Sequence, residues 1–239
     1  MKCVILAAGY ATRLYPLTEN FPKPLLPVSD RPILDWLIED VAEAVDEFVV
    51  VTNHKFAGIF KEWEAKKEKV RVIDNGTGTN ETRLGAVRDI QLAAEGIDED
   101  VLVMAGDNML DFSLVPFVEF SRGVGTSCVM CHEEEKLEAL RKTAVITADE
   151  NGKITSYEEK PQVPKGNLAV PPFYYYRGQD VKRIQEALED GCGYDAPGSF
   201  AAWLSKKVDM HAWKMTGKRY DIGDIASYEA VKEIWKENK

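Results

Sequence analysis

The chain has 239 residues, is 45% hydrophobic and carries a formal net charge of −10. That length and apolar content suit one large α/β domain with a sizeable core. The acidic balance excludes a nucleic-acid surface, which needs a basic stripe, and no run approaches the roughly 20 apolar residues of a membrane span.

Met1-Lys2 leads straight into an apolar run, so no targeting segment is expected and the protein reads as cytoplasmic. Strand-like runs at 2–8, 47–52, 70–74 and 101–105 alternate with helical patterns at 33–45, 56–66 and 81–95, and another helical pattern follows at 114–121. Such alternation implies parallel strands with crossover helices. Ligands of these sheets sit beyond the carboxyl ends of the strands, and Gly9, Asn75 and Asp107 all follow strand ends. The second half is different. Runs at 126–133, 143–148, 153–158 and 169–176 are strand-like, and Asp149-Glu-Asn-Gly152 is a hairpin turn signal. Helical patterns at 180–189 and 199–206, an alternating strand at 208–215 and a last helix at about 225–235 complete the chain. The expected fold is α/β over a single domain, 1–239. It has a Rossmann-like mixed, mainly parallel sheet flanked by helices, with a smaller antiparallel subregion.

Cys3, Cys128, Cys131 and Cys192 are the cysteines. Cys128-Val-Met-Cys131-His132 matches a c-type haem attachment pattern in form, yet its segment reads as a strand. One pair also lacks the second pair of a structural zinc site, so reduced thiols are expected.

The first strand runs into Leu6-Ala-Ala-Gly-Tyr-Ala-Thr-Arg-Leu14, and Pro22-Lys-Pro-Leu-Leu-Pro27 follows. Ala7, Ala8, Gly9 and Ala11 keep side chains out of the way, so backbone N–H groups can approach an anion. Arg13 and Lys23 add cations. A tight turn with solvated cations is the plain alternative. A Walker loop is excluded because no Gly-Lys-Ser/Thr closes the stretch, and the dinucleotide fingerprint lacks its later glycines.

These two blocks resemble the signature of the sugar-1-phosphate nucleotidylyltransferases, a family that includes glucose-1-phosphate thymidylyltransferases. Ala11 stands where that family usually has Gly, so the added Cβ is expected to keep this position out of left-handed φ. The resemblance implies that Leu6, Ala7, Ala8, Gly9, Thr12, Arg13 and Lys23 bind the nucleotide. It also places the base against the loop containing Asp74 or Asn75 and Gly85.

Three more blocks fall in family order. Gly106-Asp107-Asn108 ends an apolar strand, and Tyr220-Asp221-Ile222-Gly223 ends an extended segment, with Asp224 better placed as the cap of the last helix. One or two carboxylates plus substrate phosphates suit Mg²⁺, and the resemblance assigns Asp107 and Asp221 to it. Ser156-Tyr-Glu-Glu159-Lys160-Pro161 reads alone as a surface strand end; in the family it is the sugar-phosphate motif. Lys160 would then meet the acceptor phosphate and Glu159 the acceptor hydroxyls, with Asn108, Asn167 and Val170 completing the acceptor wall. Ala144 and Pro172 replace family glycines and crowd that side.

The implied reaction is Mg²⁺-dependent nucleotidyl transfer from a nucleoside triphosphate to a phosphate-monoester acceptor. Arg13, Lys23, Asp107, Lys160 and Asp221 would be its catalytic residues. His54, His132 and His211 lie outside every motif, which agrees with direct displacement. A sugar 1-phosphate is the first choice of acceptor. A phosphocholine-type acceptor with CTP is the second, with Tyr174, Tyr175, Tyr176 and Trp213 as a possible aromatic cage. A silent nucleotide-sensing subunit would be expected to lose the charged residues, and a glycosyltransferase would want Asp-x-Asp after the central strand. With one helix expected after Asp221, no β-helix domain of the kind some relatives carry is expected.

Overall fold

The computed structural model describes residues 1–237. Two compact units share the chain. The N-terminal unit holds Lys2–Arg83, Ala105–Val115 and the segment from Gly217 onward; the central unit holds Met1, Leu84–Met104 and Pro116–Thr216. A sequence read as consecutive elements gives no hint of units assembled from separated segments.

In the N-terminal unit the strands Lys2–Leu6, Glu47–Thr52 and Val70–Asp74 pair in parallel, with Cys3 opposite Phe48 and Val50 opposite Val72. Val4, Ile5, Val49, Val50 and Val51 are fully buried, as a parallel strand covered on both faces requires. The helix Ile33–Val41 buries Leu34 and Leu37, and Ala57–Glu64 buries Phe60 and Trp63. The first of these stops four residues before the expected end at 45. Residues 42–44 form a turn there, and buried Val45 continues the apolar pattern without the helical backbone.

Two short antiparallel pairs carry no periodicity that the sequence could reveal: Pro27–Val28 with Arg31–Pro32, and Asn108–Leu110 with Arg219–Asp221. In the second pair Asp221 is the register partner of Asn108. Leu14, Leu26, Val28, Ile33, Met109, Ile222 and Tyr228 join in one buried cluster behind it. The last helix, Ile225–Glu237, begins as expected under the Asp224 carboxylate, which accepts the Ser227 N–H at 2.8 Å.

The central unit is the antiparallel region. Its neighbouring strands run Ile154–Glu159, Ala144–Ala148, Leu168–Val170, Ser127–Glu133, Phe173–Tyr176 and then Val101–Ala105. Met210–Lys214 adds a parallel neighbour to Ser127–Glu133. The expected strand at 169–176 is split, because Pro171 and Pro172 have no N–H for a ladder. Likewise 180–189 divides into the helices Gly178–Val181 and Ile184–Glu189. Within Ser127–Glu133, Cys128 and Cys131 are buried free thiols, and burial pushes Cys131 up to about 11. No helix among the described residues is long and apolar enough to cross a membrane.

Candidate active site

The strand Lys2–Leu6 ends with the Ala7 N–H donating to Val51 O, after which the hydrogen-bond pattern changes. From Ala8 to Arg13 no backbone N–H finds an acceptor among the described residues. Ala11 corrects the expectation for this loop: its φ is +49° and its ψ +41°, the left-handed region. That conformation costs an alanine roughly 1–2 kcal/mol. Two features hold it there. The methyl packs against the Leu14–Ile33 cluster, and the carbonyl accepts from Thr18 Oγ1 at 2.7 Å and from Leu14 N at 2.9 Å.

Lys23 is only 7% exposed. Its ammonium donates to Asp107 Oδ2 at 2.8 Å and to the carbonyl of Ile222. The other Asp107 oxygen accepts from Asn108 Nδ2 at 2.8 Å, and Asn108 Oδ1 accepts from Arg219 at 2.6 Å. Asn108 is fully buried, and its amide supports Asp107 from behind. Asp221 lies one strand across, with its carboxylate 55% exposed. A Cβ at Gly223 would lie 4.0 Å from both the Arg13 guanidinium and the Asp221 carboxylate, so those side chains flank this glycine. The Asp224 carboxyl is held below the usual range, chiefly by hydrogen bonds from Ser227, with the Arg13 charge adding to them.

Arg13, Lys23, Asp107 and Asp221 thus gather in the N-terminal unit from three separated segments. No group of three or more His, Cys, Asp or Glu side chains able to hold a metal occurs among the described residues. Asp107 lies in the turn just before the strand Asn108–Leu110 and Asp221 ends its partner strand, and one or two such carboxylates can hold Mg²⁺, which completes its shell with water and phosphate oxygens.

The other end of this unit differs in detail from expectation. Asp74 Oδ2 lies 2.6 Å from His54 Nδ1, and Asp74 Oδ1 accepts from Gly76 N at 2.8 Å. Asn75 Oδ1 accepts from Thr77 N at 3.0 Å and Thr77 Oγ1 at 2.7 Å. Both side chains build the turn through these oxygens. His54, outside every motif in the sequence, meets Asp74, which lies 20 positions away on the next strand.

In the central unit, Gly85 opens the helix Ala86–Ala94 at φ +95°. A Cβ there would come within 2.6 Å of the Tyr194 ring and carbonyl. The same carbonyl accepts Val87 N at 2.9 Å, and Arg88 lies over the Tyr194 ring. Tyr194 is therefore a site neighbour that sequence motifs did not single out. Lys160 is exposed and also left-handed, at φ +48°. Beside it, burial pushes the Glu159 carboxyl up, while the Lys160 charge opposes that shift. A side chain at Gly198 would overlap the Glu159 carboxylate, and buried Tyr157 faces the same glycine.

Asn167 is exposed, and Val170 is buried opposite Ala144. The aromatic strand is also closed. Tyr174 and Tyr176 are buried and stack on each other at 5.8 Å, Tyr175 donates to Asp100 at 2.7 Å, and Trp213 packs on Phe117. These rings make no open cage.

The model of the family described as nucleotidyl transferase matches residues 2–238. The chain belongs to this nucleotidyl transferase family. It is 30% identical over 93% of its length to the bifunctional protein GlmU of Methanocaldococcus jannaschii, of which it spans 51%. It is 29% identical to the UTP–glucose-1-phosphate uridylyltransferase AglF of Haloferax volcanii, covering 93% of this chain and 91% of the relative. A UTP–glucose-1-phosphate uridylyltransferase of Synechocystis is 25% identical, and the chain spans 63% of it. A solved UDP-glucose pyrophosphorylase, complexed with UDP-glucose, shares the fold at a TM-score of 0.82. It is 22% identical, with 100% of this chain and 99% of that one covered. Within this nucleotidyl transferase a cavity of about 540 Å³ also lies near Leu92, Ile97, Val181 and Ile184, and none of the predicted site residues lines it.

Proposed function

We propose that this chain is a Mg²⁺-dependent nucleotidylyltransferase that joins a nucleoside triphosphate to a sugar 1-phosphate and releases pyrophosphate. One observation carries the proposal: Lys23 bonds both Asp107 and the carbonyl of Ile222, residues 84 and 199 positions away. The segments carrying Lys23, Asp107 and Asp221 thereby meet, which supports this reading. The names of AglF and of the Synechocystis relative support UTP and glucose 1-phosphate as the first substrate pair.

A phosphate monoester is already anionic near neutral pH, so its oxygen needs no strong base to attack the α-phosphorus. Positioning and charge neutralisation supply the rate. In this proposal the open N–H groups of Ala8–Arg13 and the Arg13 guanidinium hold the pyrophosphate and stabilise the charge it gains on leaving. Lys23 orients the Asp107 carboxylate through its hydrogen bond. Asp107 and Asp221 would hold Mg²⁺, which when bound lowers the negative charge of the phosphates. Lys160 binds the acceptor phosphate as a point charge, and ionised Glu159 accepts hydrogen bonds from acceptor hydroxyls.

The test is pyrophosphate release, crossing ATP, GTP, CTP, UTP and dTTP with glucose 1-phosphate, other sugar 1-phosphates and phosphocholine. Turnover with a sugar 1-phosphate that stops on chelation and returns with Mg²⁺ is expected. No turnover with any pair, alongside measurable nucleotide binding, would replace this proposal with that of a silent nucleotide sensor.

A further inference from the structure

An anion-binding loop needs its N–H groups turned outward, and from Ala8 to Arg13 those N–H groups make no backbone bond that would turn them. The direction comes from the opposite side of each peptide. In a trans peptide unit the C=O and the following N–H point in opposite directions. Whatever holds a carbonyl inward therefore aims the next N–H out.

Two fully buried polar side chains do this. Asn53 Nδ2 donates to Ala8 O at 3.0 Å, and Asn53 Oδ1 accepts Phe56 N at 3.2 Å, so the amide is fixed at both ends. The N–H of Gly9 then points away from Asn53. Thr18 Oγ1 donates to Ala11 O at 2.7 Å, beside the bond from Leu14 N. The N–H of Thr12 then points away from the core on which Ala11 packs. Between these anchors, buried Tyr10 donates its hydroxyl to Thr77 O at 2.9 Å, a carbonyl that also accepts His54 N. Without such anchors a peptide flip would present a carbonyl oxygen to the anion.

We propose that Asn53 and Thr18 are positioning residues for polyphosphate binding: they hold the carbonyls of Ala8 and Ala11 inward so that the N–H groups of Gly9 and Thr12 face the anion. Tyr10 fixes the middle of the loop against the turn at Asp74–Thr77. The inference rests on the loop being the triphosphate cradle of the proposed reaction.

Thr18→Val keeps the side-chain shape and removes the hydroxyl; Thr18→Ser keeps the hydroxyl. Titration calorimetry with inorganic tripolyphosphate, without acceptor, reads the loop alone. Thr18→Val is expected to weaken tripolyphosphate binding and raise the nucleotide KM by about tenfold, the scale of one lost hydrogen bond to an ordered group. The acceptor KM stays within about twofold, and Thr18→Ser recovers most of the affinity. Asn53→Ala follows Thr18→Val, and it carries the test if circular dichroism shows Thr18→Val unfolded. Unchanged tripolyphosphate binding in both variants overturns the inference. So does a Thr18→Ser loss as large as that of Thr18→Val, an equal rise in both KM values, or a wild type that binds no tripolyphosphate. Loss of tripolyphosphate binding in the variants of a protein that turns over no substrate pair upholds the positioning role and sinks the proposed reaction instead.

Discussion

The loop around Arg13 and Lys23 and the strand end at Glu159–Lys160 hold their charged groups in opposite ways. In the first, the lysine is buried, ion-paired and bonded to a carbonyl, and both anchored loop carbonyls point into the core. In the second, the lysine is exposed, its backbone is strained, and the neighbouring carboxyl is desolvated. The first region is organised before any ligand arrives. The second keeps its lysine charge in solvent. Damage to the first should therefore change both stability and nucleotide handling, whereas damage to the second should change acceptor handling alone.

Asp107→Ala tests the first half of that contrast and has the largest expected effect. Pyrophosphate release should fall by more than about a hundredfold, on the scale of removing a group that stabilises transition-state charge. The Lys23 ammonium also loses its partner, so thermal unfolding should register a loss of about 1–3 kcal/mol, partial screening of the pair included. An active variant with an unchanged Tm would break the contrast. Lys160→Ala comes next. Its acceptor KM should rise by about tenfold or more, as expected for a lost contact to a charged phosphate, while nucleotide KM and Tm stay put. Equal rises in both KM values would count against the assignment.

The Glu159 carboxyl offers a finer probe. Because burial raises it, protonation begins at a higher pH than for an ordinary glutamate. Acceptor KM should therefore climb as pH is lowered through that raised value, and Glu159→Gln should flatten the profile. A nucleotide KM that tracks the same titration would contradict the separation of roles. Ala11→Gly is expected to do least. It relieves left-handed strain of roughly 1–2 kcal/mol but gives back about 0.4–1 kcal/mol in unfolded-chain entropy, besides losing the methyl packing. A Tm shift of more than a few degrees in either direction would show that one of these terms has been misjudged.

Legibility varied with how local the cause was. The strands at 47–52, 70–74 and 101–105 match the sequence expectation residue for residue, because short apolar, β-branched runs bounded by polar residues have few other outcomes. The helix expected from 81 begins only at Ala86, since Gly85 is held at positive φ by Tyr194, a residue 109 positions away. The family motif that Asn108 shares with Asp107 places it at the acceptor, and its side chain is turned inward onto Arg219.

Beside the family resemblance, which the match over residues 2–238 bears out, the sequence specified from its residues alone an acidic α/β chain and the small-residue loop with its two cations. Those are properties of composition and spacing. The left-handed turn at Ala11, the burial of Lys23 against Asp107, and the anchoring of loop carbonyls by Asn53 and Thr18 were decided by tertiary structure. Each depends on packing or on a partner that the fold supplies. Local preference opposed the first, because a methyl group resists positive φ, until the core around Leu14 and the Thr18 hydroxyl outweighed it.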